Sequence, residues 1–134
     1  MSLTYTVAVK NARAQALTNL IDASAAAGSI TIYTGAAPAA AGAITTQLPL
    51  IVIPLQKPCF ASIASGVITL DAITEQMVQT TGAAGWARIA NGDGVAIADM
   101  SVGVNGSGAD IELPTVNLIQ GAYIRITAGQ ITEA

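Results

Sequence analysis

The chain has 134 residues, of which only 10% are charged, with a net charge of −3 and no histidine. Its five basic residues lie scattered at 10, 13, 57, 88 and 125, which leaves no basic stripe for phosphates and argues against nucleic-acid binding. The missing histidine removes the commonest general base and metal ligand at neutral pH.

At its amino end the sequence MSLTYTVAVKNARAQ lacks the early positive charge and long apolar core of a signal peptide, so export by that route is not expected. Thr4 to Val9 alternates polar and apolar residues, and residues 1–10 read as a small strand or an extended arm. A helix is predicted over 11–23, capped by Asn11. Ala16, Leu17, Leu20 and Ile21, preceded by Val9, supply its apolar stripe,. Leu17, Leu20 and Ile21 are expected to lean on the rest of the fold.

After Gly28 the period changes to two. Ser29 to Thr34 is a predicted strand with Ile30 and Ile32 on one face,. Gly35 to Thr46, small and uncharged, is a predicted exposed connection,. Leu48 to Ile53 is a β-branched run. The apolar stretch ending at Leu55 holds two prolines and falls far short of the roughly 20 residues that span a bilayer. Membrane insertion is not expected.

Phe60 to Ile63 and Gly66 to Leu70 read as strands joined at Ala64-Ser65-Gly66, and Ala72 to Val78 continues the pattern with Ile73 and Met77 inward. Trp86 to Ala90 is a strand leading into Asn91-Gly92-Asp93-Gly94, the strongest hairpin signal in the chain,. Val95 to Val102 returns from it. Gly103 to Gly108 is a glycine-rich turn, Asp110 to Leu113 a strand stopped by Pro114. Gly121 to Thr127 is a further strand, and Ile131 extends the last edge. Together these elements predict a mainly β fold, a two-layer antiparallel β-sandwich open to jelly-roll-like connections, with one N-terminal helix. All of 1–134 is expected in one domain.

Candidate chemistry is sparse. Lys10 and Lys57 sit in no motif that would activate a serine. Asp71 with Glu75, or Asp110 with Glu112, could supply paired carboxyl groups for glycan processing, and the i,i+2 spacing puts Asp110 and Glu112 on one strand face. Solubilising the outward faces accounts for them more simply. Asn91 to Gly94 lacks the spaced oxygen ligands and closing Glu of a calcium loop, and the glycines at 103, 106 and 108 lack the Lys-Ser/Thr ending of a phosphate loop. Cys59 is read as a small buried hydrophobe. Trp86 could be an interface anchor or a sugar platform but is read as core. Tyr33 and Tyr123 form no aromatic ladder. No catalytic, cofactor-binding or metal-binding residue is expected, and the chain is not expected to be an enzyme.

The segments VAVKNARAQALTNLIDA, GSITIYTGAAP, GVITLDAI, TTGAAGWARIANGDG and GADIELPTVNLIQGAYIRITAGQITEA together resemble a group of small structural proteins of tailed bacteriophages and prophages. The likeness runs along nearly the whole chain. It departs at Pro58-Cys59-Phe60-Ala61, where a polar or acidic residue, Pro, a small residue and Phe would be in keeping. The resemblance implies a virion component made in the host cytoplasm. A charge-poor surface is poorly suited to a dispersed monomer, and the two considerations lead to one expectation: a capsid decoration or cement protein on the head surface. Its partners would be its own copies, a trimer among the options, and the phage major capsid protein. Its interface would contain Ala, Val, Ile and Thr, with weak salt dependence. A tail, neck or host-binding subunit is the alternative, and a small glycan-processing enzyme the least favoured.

Overall fold

In a computed structural model, residues 4–39, 42–56, 59–70, 73, 75–126 and 128–132 are described. The described residues form a mainly β protein with one helix at its N-terminal end. That helix, α1 (Val7–Ile21), starts four residues before the predicted position because Thr6, not Asn11, caps it: the Thr6 side chain accepts from the Val9 amide at 3.3 Å. The polar–apolar alternation of Thr4 to Val9 therefore yields to a cap and helix-favouring residues behind it. Residues 1–3 of the expected arm lie outside the described residues, and Val7 to Lys10 are helical.

Strands follow as β1 (Ser29–Tyr33), β2 (Pro49–Pro54), β3 (Phe60–Ala64), β4 (Val67–Leu70), β5 (Gln76–Met77), β6 (Gly82–Ala83), β7 (Trp86–Ala90), β8 (Ala96–Val104), β9 (Ile111–Leu113), β10 (Asn117–Leu118), β11 (Tyr123–Ile124) and β12 (Ala128–Thr132). Eight of them join one curled sheet in the order β2-β1-β7-β8-β9-β12-β4-β3. β12 is not the last edge. It pairs with β9 through Ala128 and Gly129, then with β4 through Gln130 to Thr132, and this change of partner turns the sheet through a corner.

Two hairpins fall where their turn residues place them. Ser65 and Gly66 both have positive φ, 51° and 77°, as a tight two-residue connection between β3 and β4 requires. Asn91 to Gly94 joins β7 to β8, with the Asn91 side chain accepting from the Asp93 and Val95 amides at 3.0 Å each. Among the described residues the antiparallel rule breaks once, where β8 and β9 run parallel. So short a return is unusual for parallel neighbours. It works here because the loop folds back over Gly103, where a Cβ would lie 2.3 Å from the Ser107 hydroxyl.

The core gathers Ile30 and Ile32 of β1, Ile51 and Ile53 of β2, Ile68 of β4, Ile89 of β7 and Ile111 and Leu113 of β9, all at most 1% exposed. α1 packs on β3, β4 and β8 through Ala14, Thr18 and Ile21, with Leu17 partly buried. The buried stripe is rotated from the predicted one, since Val9 and Leu20 are exposed. Asn11 sits inside the helix and fixes its position instead, its side chain accepting from the Gly66 amide at 2.8 Å. A charge at Leu20 would thus stay in water, contrary to the expectation from the stripe. Leu20→Asp is expected to cost less than about 1 kcal/mol in urea denaturation, mostly helix propensity.

A second structure escaped the sequence. β5 pairs with β11 and β6 with β10, giving two short antiparallel ladders. Hydrogen bonds from Val78 to the Ala122 carbonyl, 2.8 Å, and from Ala84 to the Val116 carbonyl, 2.8 Å, continue them into one irregular ribbon of 76–84 against 116–124. Val78, Leu118 and Ile124 are buried beneath it. Met77 points out rather than in, at 48% exposure. The strand predicted over Gly121 to Thr127 shrinks to β11, Thr127 itself lying outside the described residues. Ile73 is partly buried against the core, while Ala72 of the same expected strand is not among the described residues.

Candidate functional site

The densest polar and aromatic chemistry lies on the face of the sheet opposite the core. Along β7, Ala87 and Ile89 belong to the apolar cluster, so alternation turns Trp86 and Arg88 to the other side. Cross-strand register then places Tyr33 of β1 beside Trp86 and Asp99 of β8 beside Arg88. The Tyr33 and Trp86 rings stack with centroids 4.7 Å apart and 14° between planes, a separation within the favourable range for aromatic pairs.

Arg88 grips Asp99 with two donors, Nε to Oδ1 at 2.7 Å and a terminal nitrogen to Oδ2 at 3.1 Å. Such fork-to-fork pairing is among the strong polar contacts in proteins. Their side chains are only 11% and 12% exposed. The hydrogen bond to Asp99 raises the Arg88 pKa above its usual value, and the guanidinium also stands 5.3 Å over the Trp86 ring.

The connection after β1 covers this cluster. Trp86 donates its indole N–H to the Thr34 carbonyl at 3.1 Å, and Arg88 donates to the Gly42 carbonyl at 2.8 Å. Near its ends, Gln47 donates to the Ala36 carbonyl at 2.7 Å and the Leu48 amide to Thr34 Oγ1 at 3.0 Å. Trp86 is consequently 3% exposed. It is buried as expected, but beneath a strap rather than in the core, and it presents no open platform. The Arg88–Asp99 pair was hidden from the sequence, because an irregularity between Ile89 and Ala90 shifts the register, and counting strands outward from the Asn91–Gly94 turn would not set Asp99 opposite Arg88.

The other candidates have local partners. Asp110 accepts from the Ser101 amide at 3.2 Å, and its own amide donates to the Ser101 hydroxyl at 2.9 Å. Glu112 accepts from the Gly106 and Gly108 amides at 3.2 and 2.9 Å. Both carboxylates thus organise the β8–β9 return, on the outward side of β9. Glu75 is exposed, Lys10 is a half-buried helix residue, and Asp71 and Lys57 lie outside the described residues. Asp93 accepts from the Ser24 hydroxyl at 2.9 Å, which ties the Asn91–Gly94 turn to the segment after α1. Among the described residues no group of three or more acidic or Cys side chains could hold a metal ion, and no helix is long and apolar enough to cross a membrane.

Cys59 is buried at 1% exposure, as read from the sequence. Its amide donates to Asp22 at 3.2 Å. Burial, followed by the Asp22 charge, pushes the thiol up to about 12. Thiolate, not thiol, is the nucleophile, so the native protein is expected to resist a disulfide-exchange reagent at pH 8 and to react fully once unfolded. Rapid native modification would contradict this placement. The sign with pH is also set: the unfolded chain loses this proton first, so Cys59 contributes stability below about pH 9 that is lost as pH rises towards about 12,.

Comparison with protein-family models, with curated proteins and with solved structures finds no match for this chain.

Proposed function

We propose that this chain is a non-enzymatic structural protein of a tailed-phage particle, a decoration protein that binds its own copies and the major capsid protein on the head surface. The observation that carries the proposal is a surface short of charge and supplied with large apolar side chains. Only 10% of residues are charged, while Val7, Leu20, Leu48, Val95, Ile119 and Tyr123 are each more than half exposed. Scattered exposed apolar residues are ordinary; combined with so little charge, they suit a molecule held among neighbours. The resemblance of its segments to small phage structural proteins supports the same reading. As part of it, we take the curled sheet as two layers of a sandwich, β2-β1-β7-β8 facing β9-β12-β4-β3. A single apolar cluster drawing on both halves supports this.

Such a protein acts by mass action. Each copy that binds the assembled shell and not the free subunits shifts the equilibrium towards the shell. The test adds purified chain to heads that lack it. Saturable co-sedimentation and a raised disassembly temperature are expected. Heads that neither bind the chain nor gain stability would overturn the head assignment, and binding confined to tails or necks would replace it with the alternative.

A further inference from the structure

Asn91 and Asn105 are the only asparagines followed by glycine. An Asn-Gly peptide carries its own chemistry, because no glycine side chain hinders attack of the glycine nitrogen on the asparagine carboxamide. The nitrogen gives its proton to hydroxide and bonds to Cγ. The Cγ–Nδ2 bond breaks, and Nδ2 takes a proton from water to leave as ammonia. Water then opens the five-membered imide on either side, which leaves aspartate or its isomer isoaspartate, whose backbone is one methylene longer. The dipeptide is the same at both places, so the fold decides which one reacts.

At Asn91 the surroundings oppose the reaction. The side-chain oxygen accepts from the Asp93 and Val95 amides at 3.0 Å each, and ring closure would take it off both. The Asn91 carbonyl accepts from the Gly94 amide at 3.0 Å, and the Asn91 amide donates to the Val95 carbonyl at 3.0 Å. Gly92 is half-buried, and a Cβ there would run into the Ala26 carbonyl, so the segment after α1 fills the space in which the peptide would have to turn. The Ser24 hydroxyl, donating to Asp93 at 2.9 Å, ties the turn to that segment again. Reaction here requires several of these contacts to open together.

At Asn105 the surroundings permit it. Residues 105–108 are all exposed, at the tip of the β8–β9 return. The Asn105 amide donates to the Leu113 carbonyl at 3.0 Å and the Ser107 amide to the Val104 carbonyl at 3.0 Å, which closes the turn around the dipeptide without packing anything onto it. Gly106 has φ 83°, and no described atom lies within 4 Å of where its Cβ would stand. Its amide donates to Glu112 at 3.2 Å, a long, solvent-exposed bond that a local fluctuation releases. We infer that Asn105 is a self-modification site, converted by the chain's own Gly106 nitrogen, while the turn at Asn91 preserves that residue. The product adds one negative charge to the chain's −3. The charge arises next to the glycine whose amide Glu112 holds, and repulsion between the two carboxylates loosens the loop. The isomer also lengthens the backbone just where β8 hands over to the parallel β9. This inference does not depend on the assembly reading.

Peptide mass spectrometry of the full chain, kept folded at pH 8 and physiological temperature, tests it. Circular dichroism confirms the fold, and a second sample unfolded in urea serves as the clock. In the folded chain, conversion at Asn105 should outrun conversion at Asn91 at least roughly tenfold, since Asn91 reacts only through concerted opening of its turn. In urea the two rates should draw level. Conversion should accelerate with pH, as a step begun by hydroxide must. Asn105→Gln, which would need a larger ring, should stop conversion at 105 and leave Asn91 as it was. Equal rates in the folded chain, or an Asn105 still intact when the unfolded chain has reacted fully, would overturn the assignment. The same preference persisting in urea would show that flanking sequence, not the fold, makes the choice, and would overturn it too.

Discussion

Arg88→Ala is expected to lower the stability of the fold by about 3 kcal/mol and to open the cover over Trp86. Two effects add. The Asp99 carboxylate, 12% exposed and gripped at 2.7 and 3.1 Å, loses its counter-charge in a place where water reaches it poorly. Leaving one member of a nearly buried pair alone costs more than the pair contributes. The strap also loses its tie at the Gly42 carbonyl. Because Trp86 is the only tryptophan, quenching of its emission by acrylamide reports the strap directly and should increase several-fold. The double variant Arg88→Met with Asp99→Leu removes both charges and should recover most of the stability, though not the Gly42 contact. Full stability of the single variant, or unchanged quenching, would show that the pair neither stabilises the sheet nor holds the strap.

Ile89→Ala should be at least as damaging, at about 3–4 kcal/mol. Ile89 is 0% exposed, lies on a strand flanked by β1 and β8, and faces Ile30 and Ala98 across the register. Neighbours on both sides are fixed by ladder hydrogen bonds, so the site cannot collapse into the space left by three carbons. Guanidinium denaturation measures the loss. A change below about 1 kcal/mol would mean that the sheet relaxes freely there, against the packing described.

How much of this was legible in the sequence follows from which forces act locally. β1, β3, β4, β7 and β9 were found near their observed bounds because alternation and turn chemistry are local signals, and Ser65-Gly66 and Asn91–Gly94 mark two hairpins, although irregularities at Phe60/Ser62 and Ile89/Ala90 shift their registers. The helix was found but its face was not. In an alanine-rich segment several stripes look equally apolar, and the buried one, through Ala14, Thr18 and Ile21, was chosen by the partners it meets on β3, β4 and β8. β6 and β10 are two residues each, too short to show a period. The partner change within β12 and the parallel β8–β9 pair are tertiary events with no sequence period of their own. Of the candidate site residues, Cys59 and Trp86 were correctly read as buried. The strap over Trp86 was invisible because Gly35 to Thr46 carries almost no information beyond small size.

A decoration protein, the role proposed for this chain, is a repeated component of a particle. The direct measurement of the proposed role is quantitative mass spectrometry of phage particles purified from cells that carry the gene for this chain, with heads and tails separated and the chain counted against the major capsid protein. The account predicts the chain in the head fraction, in numbers comparable to the capsid subunits. Its absence from mature particles would contradict it.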